Sequence, residues 1–152
     1  MKRQLMALML ALLPVFASAA DIEITPQANA KDQDFVTGKT AVQNKDWNTA
    51  IDALNRAVKN EPRNADIHNY LGYSYRNTDK MELSFKHYNE ALRLEPNHRG
   101  ANEYIGWAYL KTNNPAKAEE HLAKLEKICG KNCDEYKNLS KGIAAYKEKN
   151  KS

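Results

Sequence analysis

Three glycines, Gly38, Gly72 and Gly106, stand 34 residues apart, and the residues around them repeat with the same step. Thr37, Leu71 and Ile105 precede them; Ala41, Tyr75 and Tyr109 follow three positions on. Further along come Ala50, Ser84 and Ala118, then Leu54, Tyr88 and Leu122, then Ala57, Ala91 and Leu125. Pro62 and Pro96 keep the step as well. Within each copy, small and large apolar residues recur at helical spacing on two stretches, as close helix–helix packing requires. A period of about 34 residues with two amphipathic helices per unit restricts the chain to an all-α helix–turn–helix solenoid.

The register divides the chain. Repeats span about 31–64, 65–98 and 99–132, with a last helix at about 133–149 and a lead-in at 21–30 that contains Pro26 and no helical stripe. Seven helices and no sheet are expected. The first helix of the first repeat is the weakest, carried by Phe35, Val36, Ala41 and Val42. Asp46, Asn64 and Asn114 are placed as N-caps, Asn114 with Pro115 directly after it. Pro96 closes the second repeat, because proline cannot continue the hydrogen-bond ladder. Gly130 stands where the earlier copies carry proline. Tyr136, Leu139, Ile143 and Tyr146 give the last helix one apolar stripe, and its lysines keep the other side in water, as the exposed end of a stack requires.

The first twenty residues read as something else. Lys2 and Arg3 precede an apolar run from Leu5 to Phe16, and Ala17-Ser-Ala-Ala20 supplies small residues for cleavage after Ala19 or Ala20. This is the pattern of a secretory signal peptide, and the run falls short of the roughly 20 residues of a spanning helix. Loss of Lys2 and Arg3 takes 23 basic residues to 21 against 19 acidic ones, a net charge of +2. That balance, with no dense basic patch before the tail, excludes nucleic acid as the expected partner. After cleavage no membrane association is expected. Periplasmic or secreted location follows, with a monomer or weak homodimer as the expected state.

The recurring Gly-centred crossings and their apolar partners make the chain resemble the tetratricopeptide repeat (TPR) family over about 31–149. Cys129-Gly-Lys-Asn-Cys133 and the following Asp-Glu-Tyr resemble a group of small exported bacterial members. Several positions depart from the family pattern. Thr37 replaces a large apolar residue. Asp34, His68 and Asn102 replace the usual opener, and no glycine stands in the turns between paired helices. The resemblance implies a binding role and no particular ligand. In such a stack the first helix of each pair lines the concave side. Stepping by the repeat then gives a partner-binding groove of Phe35 and Lys39, Asn69 and Tyr73, and Glu103 and Trp107, with Arg76 and Lys111 one turn further along their helices. Aromatics mixed with a few charges suit a protein or extended peptide. The basic pattern with which some members clamp a terminal carboxylate is not reproduced, since Tyr70, Gly100 and Tyr104 occupy its places. Tyr73 and Trp107 have a second reading as packing residues.

Chemistry has few candidates. His87 and His121 occupy equivalent places, but no third or fourth metal ligand converges with them. They read as partly exposed residues of the repeat surface. No cofactor is implied. Cys129 and Cys133 are the only cysteines. In an oxidising compartment an isolated pair is most simply a disulfide. Redox and c-type haem motifs want two intervening residues, and here there are three. Residues four apart in an unbroken helix hold their Cβ atoms about 5–6 Å apart, too far for a bridge. The helix must therefore break at Gly130-Lys131-Asn132, with Asn132 placed to cap the last helix. Two functions remain open: a periplasmic, non-catalytic interaction module, and a small thiol–disulfide protein using Cys129 and Cys133.

Overall fold

The computed structural model describes residues 30–151. Segment 1–20, read as a signal peptide, and all but the last residue of the lead-in lie outside the described residues. Seven helices follow in order: α1 (Ala30–Gln43), α2 (Trp47–Asn60), α3 (Ala65–Asn77), α4 (Met81–Leu94), α5 (Arg99–Lys111), α6 (Pro115–Cys129) and α7 (Asp134–Lys149). No strand occurs among the described residues. None of these helices is long and apolar enough to cross a membrane.

Local chemistry sets most of the boundaries. Asp46 accepts from the Thr49 N–H at 3.2 Å, Asn64 from Ile67 at 3.3 Å, and Asn114 from Lys117 at 3.3 Å, with Pro115 opening α6. These side chains satisfy donors that have no partner inside the helix. A fourth cap is of a less usual type: His98 Nδ1 accepts from the Ala101 N–H at 3.1 Å at the start of α5. Asn132 does not cap α7. The N-cap is Cys133, which makes no side-chain cap hydrogen bond. The disulfide needs Cys133 at that junction, and this places Asn132 one residue outside the helix.

The turns inside each repeat explain the missing glycine. Lys45, Asp79 and Asn113 adopt left-handed φ angles of 58°, 59° and 57°, and they stand one repeat apart. The next residue of each turn reaches back five positions. Asp46 N–H donates to Ala41 O (2.9 Å), Lys80 to Tyr75 O (3.0 Å) and Asn114 to Tyr109 O (2.8 Å). This is the bond pattern that closes a helix C-terminus around a left-handed residue.

The core runs along the stack in patches. Ile51, Leu54, Ile67 and Leu71 fill the first interval, Tyr88 and Ile105 the next, and Leu125, Leu139 and Ile143 the last. Each repeat buries its face only against its neighbours. A Cβ on Gly38 would lie 2.6 Å from Leu54, and one on Gly72 2.6 Å from Tyr88, each across the crossing of paired helices. Gly106 differs. Its near neighbour is Leu139 of α7, also at 2.6 Å, rather than a residue of its partner helix α6. The last helix is thus more than a polar cap. Leu139 stands one repeat step beyond Ile105, and α7 packs on both α5 and α6 as the first helix of a fourth repeat would.

Cys129 ends α6, Gly130 follows with φ of 75°, and Cys133 opens α7. The two sulfurs are joined, with Cα atoms 5.9 Å apart. The bridge staples α7 to the third repeat.

Candidate partner-binding surface

Helices α1, α3, α5 and α7 pack on one another in succession, whereas α2, α4 and α6 do not meet. The stack therefore bends toward the first helices, and their outward positions line its inner side. Successive first helices place equivalent residues side by side, so the sequence register becomes a row across the surface.

Three groups form along this row. At the first, Phe35 and Tyr70 meet edge to face with centroids 5.9 Å apart, and Lys39 Nζ lies over both rings at 5.2 and 5.9 Å. At the second, Tyr73 sits between Trp47 (5.8 Å) and Tyr104 (4.8 Å), and the Arg76 guanidinium lies 5.1 Å from its centroid. Lys111 Nζ donates to the Arg76 carbonyl at 3.0 Å and pairs with Asp79 at 2.6 Å. Ammonium and guanidinium groups over ring faces are held by the ring quadrupole while keeping their charge available. The third group is a hollow of about 400 Å³ between α5 and α7, lined by Glu103, Trp107, Asn138, Lys141, Gly142 and Ala145. A Cβ on Gly142 would clash with the edge of the Trp107 six-membered ring. Only the absence of that side chain lets the indole lie on α7.

The eight residues expected from the sequence thus differ in kind. Phe35, Lys39, Tyr73, Arg76 and Trp107 are half-buried, and Lys111 is exposed. Asn69 and Glu103 are 5% and 7% exposed, floor rather than rim. Burial raises the Glu103 carboxyl to about 7. Asn138 and Trp107 beside it, and Arg76, pull only partly back, and Glu135 adds to the rise. Trp107 and Tyr73 are both packing residues and members of the row. Tyr70 and Tyr104, read from the sequence only as occupying the places of the carboxylate clamp, join the row, and so do Trp47, Asn138, Lys141 and Gly142, which the sequence reading did not place there. Tyr104 and Asn138 follow Tyr70 at steps of 34, and Lys141 follows Trp107, so the register extended one repeat further points to them. Trp47 lies on α2 and carries no such signal.

His121, read as partly exposed, is buried at 6% exposure, as is His68 at 8%, whereas His87 is half-buried as expected. His68 Nε2 lies 3.1 Å from Pro62 O and can only donate to it; with its proton on Nε2, His68 Nδ1 accepts from His87 Nδ1–H, 3.0 Å away. The equivalent Asn102 donates to Pro96 O at 3.1 Å and faces His121 Nδ1 across 3.0 Å with its carbonyl oxygen. Each ring stacks on the repeat's tyrosine, His87 on Tyr75 and His121 on Tyr109. Burial lowers both histidines to about 4, helped at His87 by His68 and at His121 by Lys124. Among the described residues the one cluster with three metal-capable groups is Cys129, Cys133 and Glu135. Its sulfurs are bonded to each other, so they are not thiolate ligands.

A curved stack of paired helices with an aromatic and cationic inner row is a protein-interaction scaffold of the helical-repeat class. A family model for the tetratricopeptide repeat matches residues 35–97 and 86–132. The chain belongs to the tetratricopeptide repeat family. Among solved structures it resembles the TPR domain of Arabidopsis OM64, with a TM-score of 0.70, 16% identity, and 77% of this chain and 96% of that one covered. The TPR2B domain of yeast Sti1, in a complex with pHsp70, matches with a TM-score of 0.72 and 16% identity over 79% and 98% of the two chains. MamA from Desulfovibrio magneticus RS-1 matches at 0.63 and 20% over 67% and 58%. At these identities the likeness is one of fold. No curated protein matches the chain.

Proposed function

We propose that the protein is an exported, periplasmic TPR module that binds a protein or extended peptide along its inner row and performs no chemistry of its own. The observation that carries this is the row itself. Lys39 and Arg76 are held over aromatic rings with no carboxylate within ion-pair distance among the described residues. Packing has thus set the rings in place and left Lys39 and Arg76 without a carboxylate partner among the described residues. Rigid aromatics offer contact area at low entropic cost, and an unpaired guanidinium offers directional donors. Export rests on the sequence of residues 1–20 and sets the compartment in which the Cys129–Cys133 bridge would persist.

The test places a photocrosslinking residue at position 73 on the inner row and, separately, at Asn89, exposed on α4. Adducts in the periplasm from position 73 alone, lost when Lys39 and Arg76 are both changed to alanine, are expected. Equal adducts from both positions would reject the row. Mass spectrometry of the purified protein should find an N-terminus at Ala20 or Asp21, and an intact Met1 would reject export by cleavage.

A further inference from the structure

We propose that the hollow between α5 and α7 is a subsite for one basic side chain, lysine or arginine, of the partner. This rests on the inner-row reading above and names the chemistry of its C-terminal end. Glu103 lines the hollow, is 93% buried, and has no cation within ion-pair distance among the described residues. A buried carboxylate without a counter-charge is unfavourable, and an incoming ammonium or guanidinium relieves it. The Trp107 indole beside Glu103 adds a π face. Ala145 and Gly142 leave an apolar wall for the methylene stem of such a side chain.

Charges around the site set its polarity. Arg76 of α3 and Lys141 of α7 are cationic, Glu135 of α7 is anionic, and Tyr104 of α5 is a phenol whose pKa Glu103 helps to raise. Lys141 lines the hollow with no ion pair of its own among the described residues. It faces the incoming cation and holds affinity down. The subsite therefore reads the opposite charge from the rest of the row, where Lys39 and Arg76 present cations. A partner that matches the whole surface carries acidic residues toward α1 and a basic one toward α7.

The probes are the N-acetyl methylamides of lysine, arginine, norleucine and glutamate. Titration into isotope-labelled protein is followed at the Trp107 indole N–H and the Gly142 amide. The lysine and arginine probes should shift both signals, and the norleucine and glutamate probes should not. Glu103→Gln, checked for an unchanged melt, should weaken the lysine probe at least tenfold, and Lys141→Met should tighten it. Between pH 6 and pH 8 affinity should rise about tenfold as Glu103, near 7, ionises. Equal binding of norleucine, preferential binding of glutamate, no effect of Glu103→Gln, weakening by Lys141→Met, or no binding of any probe would each overturn the subsite. Retention of the position-73 adduct in Glu103→Gln, with no lysine-probe binding in wild type, would reject the subsite while leaving the inner row standing.

Discussion

Lys45 holds a left-handed backbone that its side chain does nothing to justify. Its φ is 58°, the residue is exposed, and it makes no side-chain hydrogen bond or ion pair among the described residues. For a residue with a Cβ this conformation costs about 1–2 kcal/mol. Replacing it with glycine removes that strain but adds about 0.4–1 kcal/mol of unfolded-chain entropy to be lost on folding. The difference is a net stabilisation of about 0.5–1 kcal/mol for Lys45→Gly. At the equivalent turns the gain shrinks. Asp79→Gly loses the exposed pair with Lys111 at 2.6 Å, an interaction of about 0–1 kcal/mol. Asn113→Gly replaces the residue type most tolerant of the left-handed region and loses its bond from the Tyr146 hydroxyl at 3.3 Å. The expected order is Lys45→Gly above Asp79→Gly above Asn113→Gly, with the last near zero or negative. Urea unfolding followed by helix dichroism measures it, with Lys45→Ala as the control that removes the charge but keeps the Cβ. If Lys45→Gly is no more stable than Lys45→Ala, the strain argument fails.

Gly106→Ala should loosen α7 selectively, because its Cβ meets Leu139, while Gly72→Ala should disturb the α3–α4 crossing at Tyr88; hydrogen exchange resolved by helix would distinguish them, and the same pattern from both would refute the assignment. Reduction of Cys129–Cys133 should cost about 2 kcal/mol for so short a loop and reduce protection in α7 before α3, whereas uniform loss across the repeats would mean that the bridge is not a local staple. Stability should rise with pH between about 4.5 and 6.5. There the unfolded chain binds protons that His87 and His121, lowered to about 4, do not take up in the fold. Glu103, raised to about 7, acts in the opposite sense: its contribution is full below 4.5 and lost as pH climbs through 7. Glu103→Gln should therefore steepen the rise and His121→Gln flatten it; a pH-independent melting temperature from 4.5 to 6.5 in Glu103→Gln would contradict the histidine sign, and a shallower rise than in wild type would contradict the Glu103 sign.

The 34-residue register determined the helices, their pairing, three N-caps and the residues that face the inner side. It could do so because each of these depends on local spacing: which residues share a helix face, and which side chain can reach an orphan N–H. The sequence likewise placed Cys129 and Cys133 at a helix break, since only a break brings them within bonding reach. Spacing does not encode how deep a position lies, or which of two neighbours reaches it first. Asn69 and Glu103 occupy groove positions yet are 5% and 7% exposed, Glu103 at the floor of the hollow between α5 and α7. Gly106 meets Leu139 rather than its own repeat, because α7 stacks as the next first helix and Leu139 is long enough to fill the gap. Trp47 reaches Tyr73 from a second helix, a contact between elements whose relative placement no single-helix period contains. The pairing of His68 with His87, and of Asn102 with His121, was visible only as a numerical coincidence of repeat positions. It takes the packing of the two helices in each repeat to bring those side chains within hydrogen-bond distance and to bury His87 and His121 enough to lower them to about 4.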